Sequence, residues 1–349
     1  MSTSSFEQSL FLKQIDKTDE LDVEFLSFVS VHKKAYNSDS EYKRRSKNYK
    51  NNRNFVAQHN KNNTQFQLHM NNFADLDDQE YNMLLGLKMN TLSSNAQEQN
   101  EDVNNSDQNF HQVTQATSSI DQNQTSSSIP LPVNLDWRDF GAVSKIKDQG
   151  YCGSCYAFAT AAAIEGMAYL KTGKMVELSM QQIVDCAADG NLGCYGGDLF
   201  SSFSYALDHG LHTLKGYPYY GYQIDCLYNK SSLHLTKFKG YEPIASNNNT
   251  LLKRAVAMGP VAIGISASSR QFRFYGSGIL SSPKCGQVLD HAVLLIGYGQ
   301  KKNGIQFWII KNSWGKRWGE KGFARILMSN EQDNSGTCGI GILSILITI

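Results

Sequence analysis

A break in composition divides the 349-residue chain into two unequal parts. Residues 93–129 consist mainly of Asn, Gln, Ser, Thr and Asp and contain hardly any aromatic residue. Such a stretch cannot bury enough apolar surface to fold by itself, so it predicts an unfolded linker. The chain as a whole is 41% hydrophobic and has room for two or three domains. We therefore expect a small folding unit before the linker and a larger one from Pro130 onward.

The larger unit contains a candidate nucleophile in the segment Gln149-Gly-Tyr-Cys-Gly-Ser-Cys-Tyr-Ala-Phe158. Ser154 is a favourable N-cap, and the Ala-rich run 155–171 before Gly173 predicts a helix that begins at Cys155. A thiol in the first turn lies near the positive end of the helix dipole, which favours the thiolate and lowers the pKa. Cys155 then requires only a base.

His291 is the candidate base. It opens the apolar strand pattern His-Ala-Val-Leu-Leu-Ile-Gly-Tyr-Gly299, so a strand end presents an imidazole beside a buried sheet. Asn312 ends the next strand run and is placed to hold that imidazole in one tautomer, and Trp314 is placed to shield the pair from water. The other histidines of this half lie in settings typical of a protein surface: His209, His212 and His234.

Cysteine counting leaves two interpretations of Cys152-x-x-Cys155 open at this point, a redox pair or half of a zinc site. No second Cys-x-x-Cys or His pair follows at metal spacing, so we expect neither a metal nor a cofactor. All seven cysteines lie in the last 200 residues, and an odd number leaves one unpaired. Three disulfides and one free thiol fit this count, although six cysteines allow 15 connectivities. Disulfides indicate an oxidising compartment.

Three blocks of this unit resemble the signature of the papain-like cysteine proteases. They are Gln149 to Cys155, Asp290-His-Ala-Val293 and Asn312-Ser-Trp-Gly-Lys-Arg-Trp-Gly319. His291 lies 136 residues after Cys155, close to the roughly 130 to 150 typical of this group. The resemblance implies that Cys155 is the nucleophile, His291 the base and later the acid, and Asn312 the residue that orients the imidazole. It also implies an oxyanion hole formed by Gln149 and the Cys155 backbone N–H.

The resemblance further implies an α+β fold of two lobes, one helical and one an antiparallel β-barrel, with an N-terminal helical prodomain. Helices are expected at 155–171, 179–186 and 199–208, and strands at 261–267, 291–299, 307–311, 323–328 and 340–347. The implied disulfides are Cys152–Cys194, Cys186–Cys226 and Cys285–Cys338.

The N-terminal part predicts two helices, at 21–32 and about 40–60. Along the second helix, six residues recur at spacings of three or four and share one face. They are Glu41, Arg45, Tyr49, Asn52, Val56 and Asn60. An ordinary surface helix would also produce this periodicity, but the residues resemble the E-R-F-N-I-N motif of cathepsin L-like propeptides.

A second motif follows this helix. Asn71-Asn-Phe-Ala-Asp75 matches the end of the companion G-x-N-x-F-x-D motif, with His69 at the glycine position. The two motifs together imply a zymogen in which the residues after the helices run through the active-site cleft, backwards relative to substrate.

The expected division is an N-terminal extension (1–20), an inhibitory prodomain (21–89), a linker and activation segment (90–130) and a peptidase domain (131–349). The last segment carries 21 Lys and Arg against 15 Asp and Glu, whereas the preceding residues carry 12 against 17, so the net charges are +6 and −5. Opposite charges of this size favour docking of the two parts. Neither pattern suggests binding to nucleic acid.

A glycine-rich segment, Gly193-Cys-Tyr-Gly-Gly197, resembles the wall of the family's substrate cleft. There Gly196 and Gly197 would hydrogen-bond an extended peptide, and Asp290 and Trp314 border the same cleft. By family position, apolar residues line the S2 pocket, which favours an apolar P2 residue, although each could simply belong to the core. They are Leu199, Gly264, Leu289 and Leu343.

Several features bear on activity and location. Tyr156 replaces the family's usual tryptophan after the nucleophile, and the apolar C-terminus is too short to span a membrane. No occluding loop is evident between Cys226 and His291, which favours an endopeptidase. The alternative is an inactive homologue that only binds peptides.

The expected partners are peptide or protein substrates and the chain's own propeptide, and the resemblance also allows cystatin-like inhibitors. We expect a monomer. The first eight residues show no signal-peptide pattern, yet the disulfides and five Asn-x-Ser/Thr sequons favour the lysosome, the vacuole or the cell exterior.

Overall fold

A computed structural model describes residues 20–63, 65–89, 130–228, 238–328 and 334–349 of the chain. The predicted extension and linker, with the activation site near Pro130, lie outside these ranges except for Glu20 and Pro130 themselves, as does His234. No helix within the ranges is long and apolar enough to cross a lipid bilayer.

Three helices precede the linker, and the others follow it. They are α1 (Glu20–Val31), α2 (Asp39–Asn62), α3 (Asp78–Asn82), α4 (Cys155–Thr172), α5 (Met180–Cys186), α6 (Leu199–His209), α7 (Asn249–Met258) and α8 (Arg270–Arg273). Short 3₁₀ turns occupy Gly193–Tyr195, Pro283–Cys285 and Thr337–Gly339.

The strands form an extended sheet whose first strand comes from the N-terminal part. They are β1 (Phe66–Leu68), β2 (Leu135–Asp136), β3 (Gly240–Pro243), β4 (Val261–Ile265), β5 (Tyr275–Leu280), β6 (His291–Gln300), β7 (Gln306–Lys311), β8 (Phe323–Leu327) and β9 (Ser344–Thr348). The order is β1-β5-β8-β7-β6-β4-β9-β3, and β2 pairs with β6.

The fold expected from the resemblance is confirmed, with two differences in the sheet. Its path has two ends, β1 and β3, so in the described part of the chain the sheet does not close into a barrel. The pairing is antiparallel except between β5 and β8, which run parallel. The predicted strand 340–347 begins later, at Ser344, because a 3₁₀ turn occupies Thr337–Gly339.

Helix α4 forms the centre of the helical lobe and carries Cys155 at its first position. Fourteen of its 18 residues are buried, from Cys155 to Ala168, as expected of a helix that is apolar on all sides. It ends at Gly173, which adopts the left-handed conformation (φ 69°) that favours glycine at a helix C-terminus. Ser154 was predicted to cap this helix, but its side chain makes no capping hydrogen bond.

The face of α2 that carries the six motif residues from Glu41 to Asn60 forms contacts that hold the prodomain together. Tyr49, Asn52 and Val56 are buried, and Asn52 Nδ2 donates to the carbonyl oxygens of Ala74 (2.9 Å) and Leu76 (3.2 Å). The interpretation of this face as an ordinary surface helix is therefore wrong.

The polar members of the same face bond to the chain that follows the helix. Asn60 exchanges two hydrogen bonds with the backbone of Leu68, each 2.8 Å long, and so fixes strand β1. Arg45 pairs with Glu80 at 2.7 Å and with Glu41.

A buried ionic cluster joins the two lobes behind the sheet. Glu165 of α4 accepts from Lys147 Nζ (3.0 Å), from Ser144 Oγ and from the backbone N–H of Leu178 (2.7 Å). Lys311, at the end of β7, donates to Ser144 Oγ at 2.7 Å, and burial lowers the pKa of this lysine to about 8.

Removing the buried carboxylate should therefore be costly. Glu165→Ala leaves the Ser144 hydroxyl and the Leu178 N–H without their acceptor and leaves Lys147 with only Glu177, so we expect a loss of about 3 kcal/mol in the free energy of unfolding. The urea unfolding midpoint measures it. As a control, Glu177→Ala removes a partly exposed partner of the same Lys147 (3.4 Å) and should cost less than about 1 kcal/mol. Equal shifts of the urea midpoint in Glu165→Ala and Glu177→Ala would contradict the assignment of Glu165 as the main acceptor of the cluster.

Candidate active site

The first turn of α4 places the Cys155 thiol in a closed environment. Cys155 is fully buried, and it is the one cysteine of the seven outside the disulfides. Burial raises the pKa of the thiol to about 11, although the backbone amides of Ala292, Gly86 and Tyr156 point to the sulfur and oppose the shift. The low thiol pKa expected from the helix dipole is thus outweighed here, because residues around Gly86 cover the thiol.

His291 begins β6, and its neighbour Ala292 contacts the Cys155 sulfur through its amide. His291 Nε2 lies 2.8 Å from Asn312 Oδ1, the oxygen that also accepts from the Ser313 backbone N–H. A carbonyl oxygen only accepts, so Nε2 carries the proton and Nδ1 keeps a lone pair. Nδ1 has no hydrogen-bond partner. The arrangement therefore leaves Nδ1 free to take a proton.

The imidazole is shielded from solvent by an aromatic group. Trp314 stacks on His291 with ring centroids 4.5 Å apart and an interplanar angle of 29°. Burial lowers the pKa of His291 to about 4, against the opposing hydrogen bond to Asn312. In this covered form, burial therefore favours the neutral form of both the thiol and the imidazole.

Gln149 is fully buried beside the thiol, and its side-chain amide is held at both ends. Oε1 accepts from Ser313 Oγ at 2.7 Å, while Nε2 donates to the carbonyl oxygens of Cys152 (2.8 Å) and Leu84 (3.1 Å). Leu84 belongs to the N-terminal part. A carbonyl of the prodomain therefore accepts from the side-chain donor that is expected to form part of an oxyanion hole.

The segment Leu84–Lys88 lies along the cleft and bonds to both of its walls. Leu87 N donates to Asp290 O (3.0 Å), Gly197 N donates to Gly86 O (2.8 Å) and Lys88 N donates to Gly197 O (2.9 Å). Leu87 and Gly197 form a parallel bridge. The segment is thus bound as an added strand through its backbone.

Glycines allow this close approach. A β-carbon at Gly86 would lie 1.7 Å from the carbonyl oxygen of Gly153, and one at Gly196 would lie 2.7 Å from that of Gly86. Both distances are far below van der Waals contact, so a side chain at either position would push the segment out of the cleft.

The side chain of Leu87 fills an apolar pocket and is 4% exposed. A β-carbon at Gly264 would lie 2.9 Å from Leu87, 3.0 Å from Leu289 and 3.4 Å from Leu343, so these residues meet at one point. Leu199 is fully buried in the same apolar cluster. Three of the four residues predicted to line a pocket, Gly264, Leu289 and Leu343, are therefore brought together around a prodomain leucine.

Disulfides and hydrogen bonds fix the loops around the thiol. The structure pairs Cys152 with Cys194, Cys186 with Cys226 and Cys285 with Cys338. The first pair excludes a redox or zinc role for Cys152-x-x-Cys155, because Cys152 is bonded elsewhere. Within the described ranges, no group of His, Cys, Asp and Glu side chains is arranged to hold a metal ion.

Sequence reasoning missed two parts of the site. The Leu84–Lys88 segment was not singled out, although one glycine within an apolar run after a helix is a sign of close backbone approach. Tyr219 was also missed, and its hydroxyl bonds both Ser154 Oγ (2.7 Å) and Gln149 O (2.8 Å). Nothing local in the sequence distinguishes it from the neighbouring tyrosines.

Comparison with known proteins agrees with this geometry. Residues 131–347 match the model described as "Papain family cysteine protease", and residues 25–81 match the "Cathepsin propeptide inhibitor domain (I29)". Cysteine proteinase COT44 of Brassica napus is 40% identical, with 84% of this chain and 85% of that protein covered. Cathepsin L1 of Drosophila melanogaster is 36% identical, with 92% and 83% covered.

A solved structure extends the likeness to the whole fold. Digestive procathepsin L 3 from the larval midgut of Tenebrio molitor superposes with a TM-score of 0.78 at 32% identity, with 95% of this chain and 100% of that chain covered. The chain therefore belongs to the papain family of cysteine proteases, as a cathepsin L-like endopeptidase in a zymogen form with its propeptide inhibitor domain.

Proposed function

We propose that the released enzyme cleaves peptide bonds through Cys155 and His291, with a preference for an apolar residue at P2. The observation that carries the proposal is the position of Leu84–Lys88, a peptide bound against the thiol with its leucine in the apolar pocket. The prodomain thereby demonstrates that the cleft accepts an extended peptide backbone.

The mechanism begins with proton transfer from the Cys155 thiol to Nδ1 of His291. The sulfur attacks the carbonyl carbon of the scissile peptide bond, and the carbonyl oxygen becomes an oxyanion held by Gln149 Nε2 and the Cys155 backbone N–H. The imidazolium returns its proton to the leaving amine, the C–N bond breaks, and a thioester remains. Water, deprotonated by the same imidazole, then hydrolyses the thioester and restores the thiol.

Asn312 supports this cycle by accepting from the His291 Nε2–H, which leaves Nδ1 available to take the thiol proton. Trp314 excludes water from the His291–Asn312 hydrogen bond. Departure of the prodomain uncovers the cleft and removes much of the burial that raises the pKa of Cys155. The helix dipole and the remaining amides of Ala292 and Tyr156 then favour the thiolate.

Release of the prodomain is proposed to respond to acid through its carboxylates. Glu80 is partly buried, which raises its pKa, but hydrogen bonds and charges from Arg44, the Asp77 backbone and Arg45 outweigh burial and lower it below 4.5. A carboxylate with a depressed pKa stabilises the folded prodomain above that value and loses this contribution as pH falls below about 4.5. Acid therefore loosens the packing of α2 on α3.

His32 adds a second acid-sensitive contact where the prodomain meets the enzyme. Burial lowers the pKa of His32 from 6.5, and the charges of Arg317 and Lys34 lower it further, against smaller opposing effects of Asn72 and Asp75. Arg317 itself donates to the Val31 carbonyl at 3.1 Å. The docked state therefore holds His32 neutral, and protonation below about pH 6.5 favours the undocked state.

The compartment belongs to the proposal as well. Three disulfides favour the lysosome, the vacuole or the cell exterior, and acidification in such a compartment would supply the trigger. Cystatin-like inhibitors would compete for the cleft that the prodomain vacates. A monomer suffices, because every proposed site residue comes from one chain.

The chemical step is tested with Gln149→Ala in acid-activated enzyme. Loss of one oxyanion donor should lower kcat about 10²- to 10³-fold with little change in KM, measured on a fluorogenic peptide with Leu at P2. Cys155→Ser should abolish turnover. Titration with a pyridyl disulfide verifies that Cys155 remains accessible in Gln149→Ala. Peptide binding without cleavage by the wild type would favour the inactive-homologue alternative.

Specificity is tested by filling the pocket with Gly264→Ala. The added methyl takes the space now occupied by Leu87, so kcat/KM for a Leu-P2 peptide should fall about 10-fold relative to an Ala-P2 peptide. Gly240→Ala on β3, where a β-carbon meets only Thr348 at 3.3 Å, is the matched control and should leave the ratio unchanged. If Gly264→Ala leaves the ratio of kcat/KM for the Leu-P2 and Ala-P2 peptides unchanged, the P2 side chain does not bind in the pocket beside Gly264.

Acid activation is tested with His32→Asn, which keeps a polar side chain but cannot be protonated. The pH at which half of the zymogen is processed in a fixed time should fall by about half a unit, read on gels between pH 4 and 6.5. His209→Asn, at the exposed end of α6, is the control. If the wild type, His32→Asn and His209→Asn share the same midpoint pH, His32 plays no part in acid activation. If full-length zymogen persists at pH 4 to 5 in the presence of added active enzyme, release of the prodomain by acid is refuted.

A further inference from the structure

Tyr219 connects the two sides of the proposed oxyanion hole. Its hydroxyl lies 2.8 Å from the Gln149 carbonyl oxygen and 2.7 Å from Ser154 Oγ. Gln149 supplies the side-chain donor of the hole, and Ser154 directly precedes Cys155, which supplies the backbone donor. One hydroxyl therefore bonds to the backbone of the residue that carries the first donor and to the side chain of the residue that precedes the second.

The direction of these hydrogen bonds is fixed by chemistry. The Gln149 carbonyl can only accept, so the single proton of Tyr219 goes to it. Ser154 Oγ then donates to the tyrosine oxygen at 2.7 Å, which is much closer than its other acceptor, the Cys152 carbonyl at 3.5 Å. The Ser154 side chain is thereby turned away from the helix end. This explains why Ser154 makes no capping hydrogen bond although its sequence position favours one.

The tyrosine is itself rigidly placed. Its ring packs edge-on against Phe158 of α4, with centroids 4.9 Å apart at 84°. The next residue, Tyr220, donates its N–H to Gln181 Oε1 of α5 at 2.8 Å. The Cys186–Cys226 disulfide ties the same loop to α5. A ring held in this way can fix the spacing between Gln149 and the start of α4.

We propose that Tyr219 is a positioning residue for the oxyanion hole, which holds the Gln149 backbone and the Ser154–Cys155 turn at the separation that the transition state requires. The inference rests on the proposed function, because it needs the oxyanion hole to be used. The hydrogen bonds of the Tyr219 hydroxyl go to Ser154 and Gln149 and to neither the sulfur nor the imidazole, so we expect its loss to act on carbonyl stabilisation more than on the thiolate.

The test uses Tyr219→Phe in acid-activated enzyme, which keeps the ring and removes both hydrogen bonds. We expect kcat on the Leu-P2 peptide to fall about 10-fold with KM within about two-fold, and a peptide aldehyde, whose adduct places an oxyanion in the hole, to bind about 10-fold more weakly. Thiol exchange with 2,2′-dipyridyl disulfide reports the thiolate without using the hole. Its rate and pH profile should match those of the wild type.

Tyr205→Phe is the matched control, because it also removes a tyrosine hydroxyl from a half-buried ring. The hydroxyl of Tyr205, on α6 and away from the cleft, accepts one hydrogen bond from Gln182 Nε2 at 3.2 Å. It should keep wild-type kcat. Ser154→Ala leaves the Tyr219–Gln149 bond intact and should lose less activity than Tyr219→Phe.

Three results would overturn the inference while leaving the proposed function in place. They are an unchanged kcat in Tyr219→Phe, an equal loss in Tyr205→Phe, and a parallel loss of thiol exchange that would place the effect on Cys155 itself. A wild-type enzyme that cleaves no peptide would instead overturn the proposed function, and this inference with it.

Discussion

The passage of one backbone over another, Gly86 above Gly153, is the contact on which the inhibited structure depends. Because neither residue carries a β-carbon, the prodomain backbone comes close enough to the enzyme for the Leu84 carbonyl to accept from Gln149 Nε2 and for the Leu87 side chain to enter its pocket. The same closeness buries Cys155 and His291, and this burial favours the neutral form of each. Inhibition in this protein is therefore steric and electrostatic at once.

The enzyme part is organised so that the covered site is already assembled. Asn312 and Ser313 position His291 and Gln149, and disulfides and buried charges fix the loops and lobes around them. The Glu165–Lys147 pair and Lys311 connect the helix that carries the thiol with β7, the strand that ends at Lys311 just before Asn312. Activation thus requires removal of a segment and no rebuilding of the site.

Much of this was predictable from the sequence, because residue type and spacing carry it. The start of α4 follows from the N-cap position of Ser154 and the Ala-rich run, and the strand that begins at His291 follows from its apolar pattern. The face of α2 follows from its spacing together with the family motif. Counting cysteines leaves 15 disulfide arrangements open, and the family resemblance alone implied the three pairs that the structure has. The role of Ser154 was mispredicted because a distant tyrosine competes for its hydroxyl. The open sheet and its parallel pair depend on long-range pairing that local patterns do not encode.

Strand β1 has a consequence for the released enzyme. It belongs to the prodomain and pairs with β5, where Phe66 lies opposite Gly278 and Gln65 O accepts from Ile279 N. When the prodomain departs, that side of β5 is left with unsatisfied backbone groups, since β8 pairs with the other side only. An unpaired strand edge is a template for aggregation, and chains commonly cover such edges while they fold. The prodomain therefore uses one segment, Leu84–Lys88, to cover the cleft and another, β1, to cover the open side of β5.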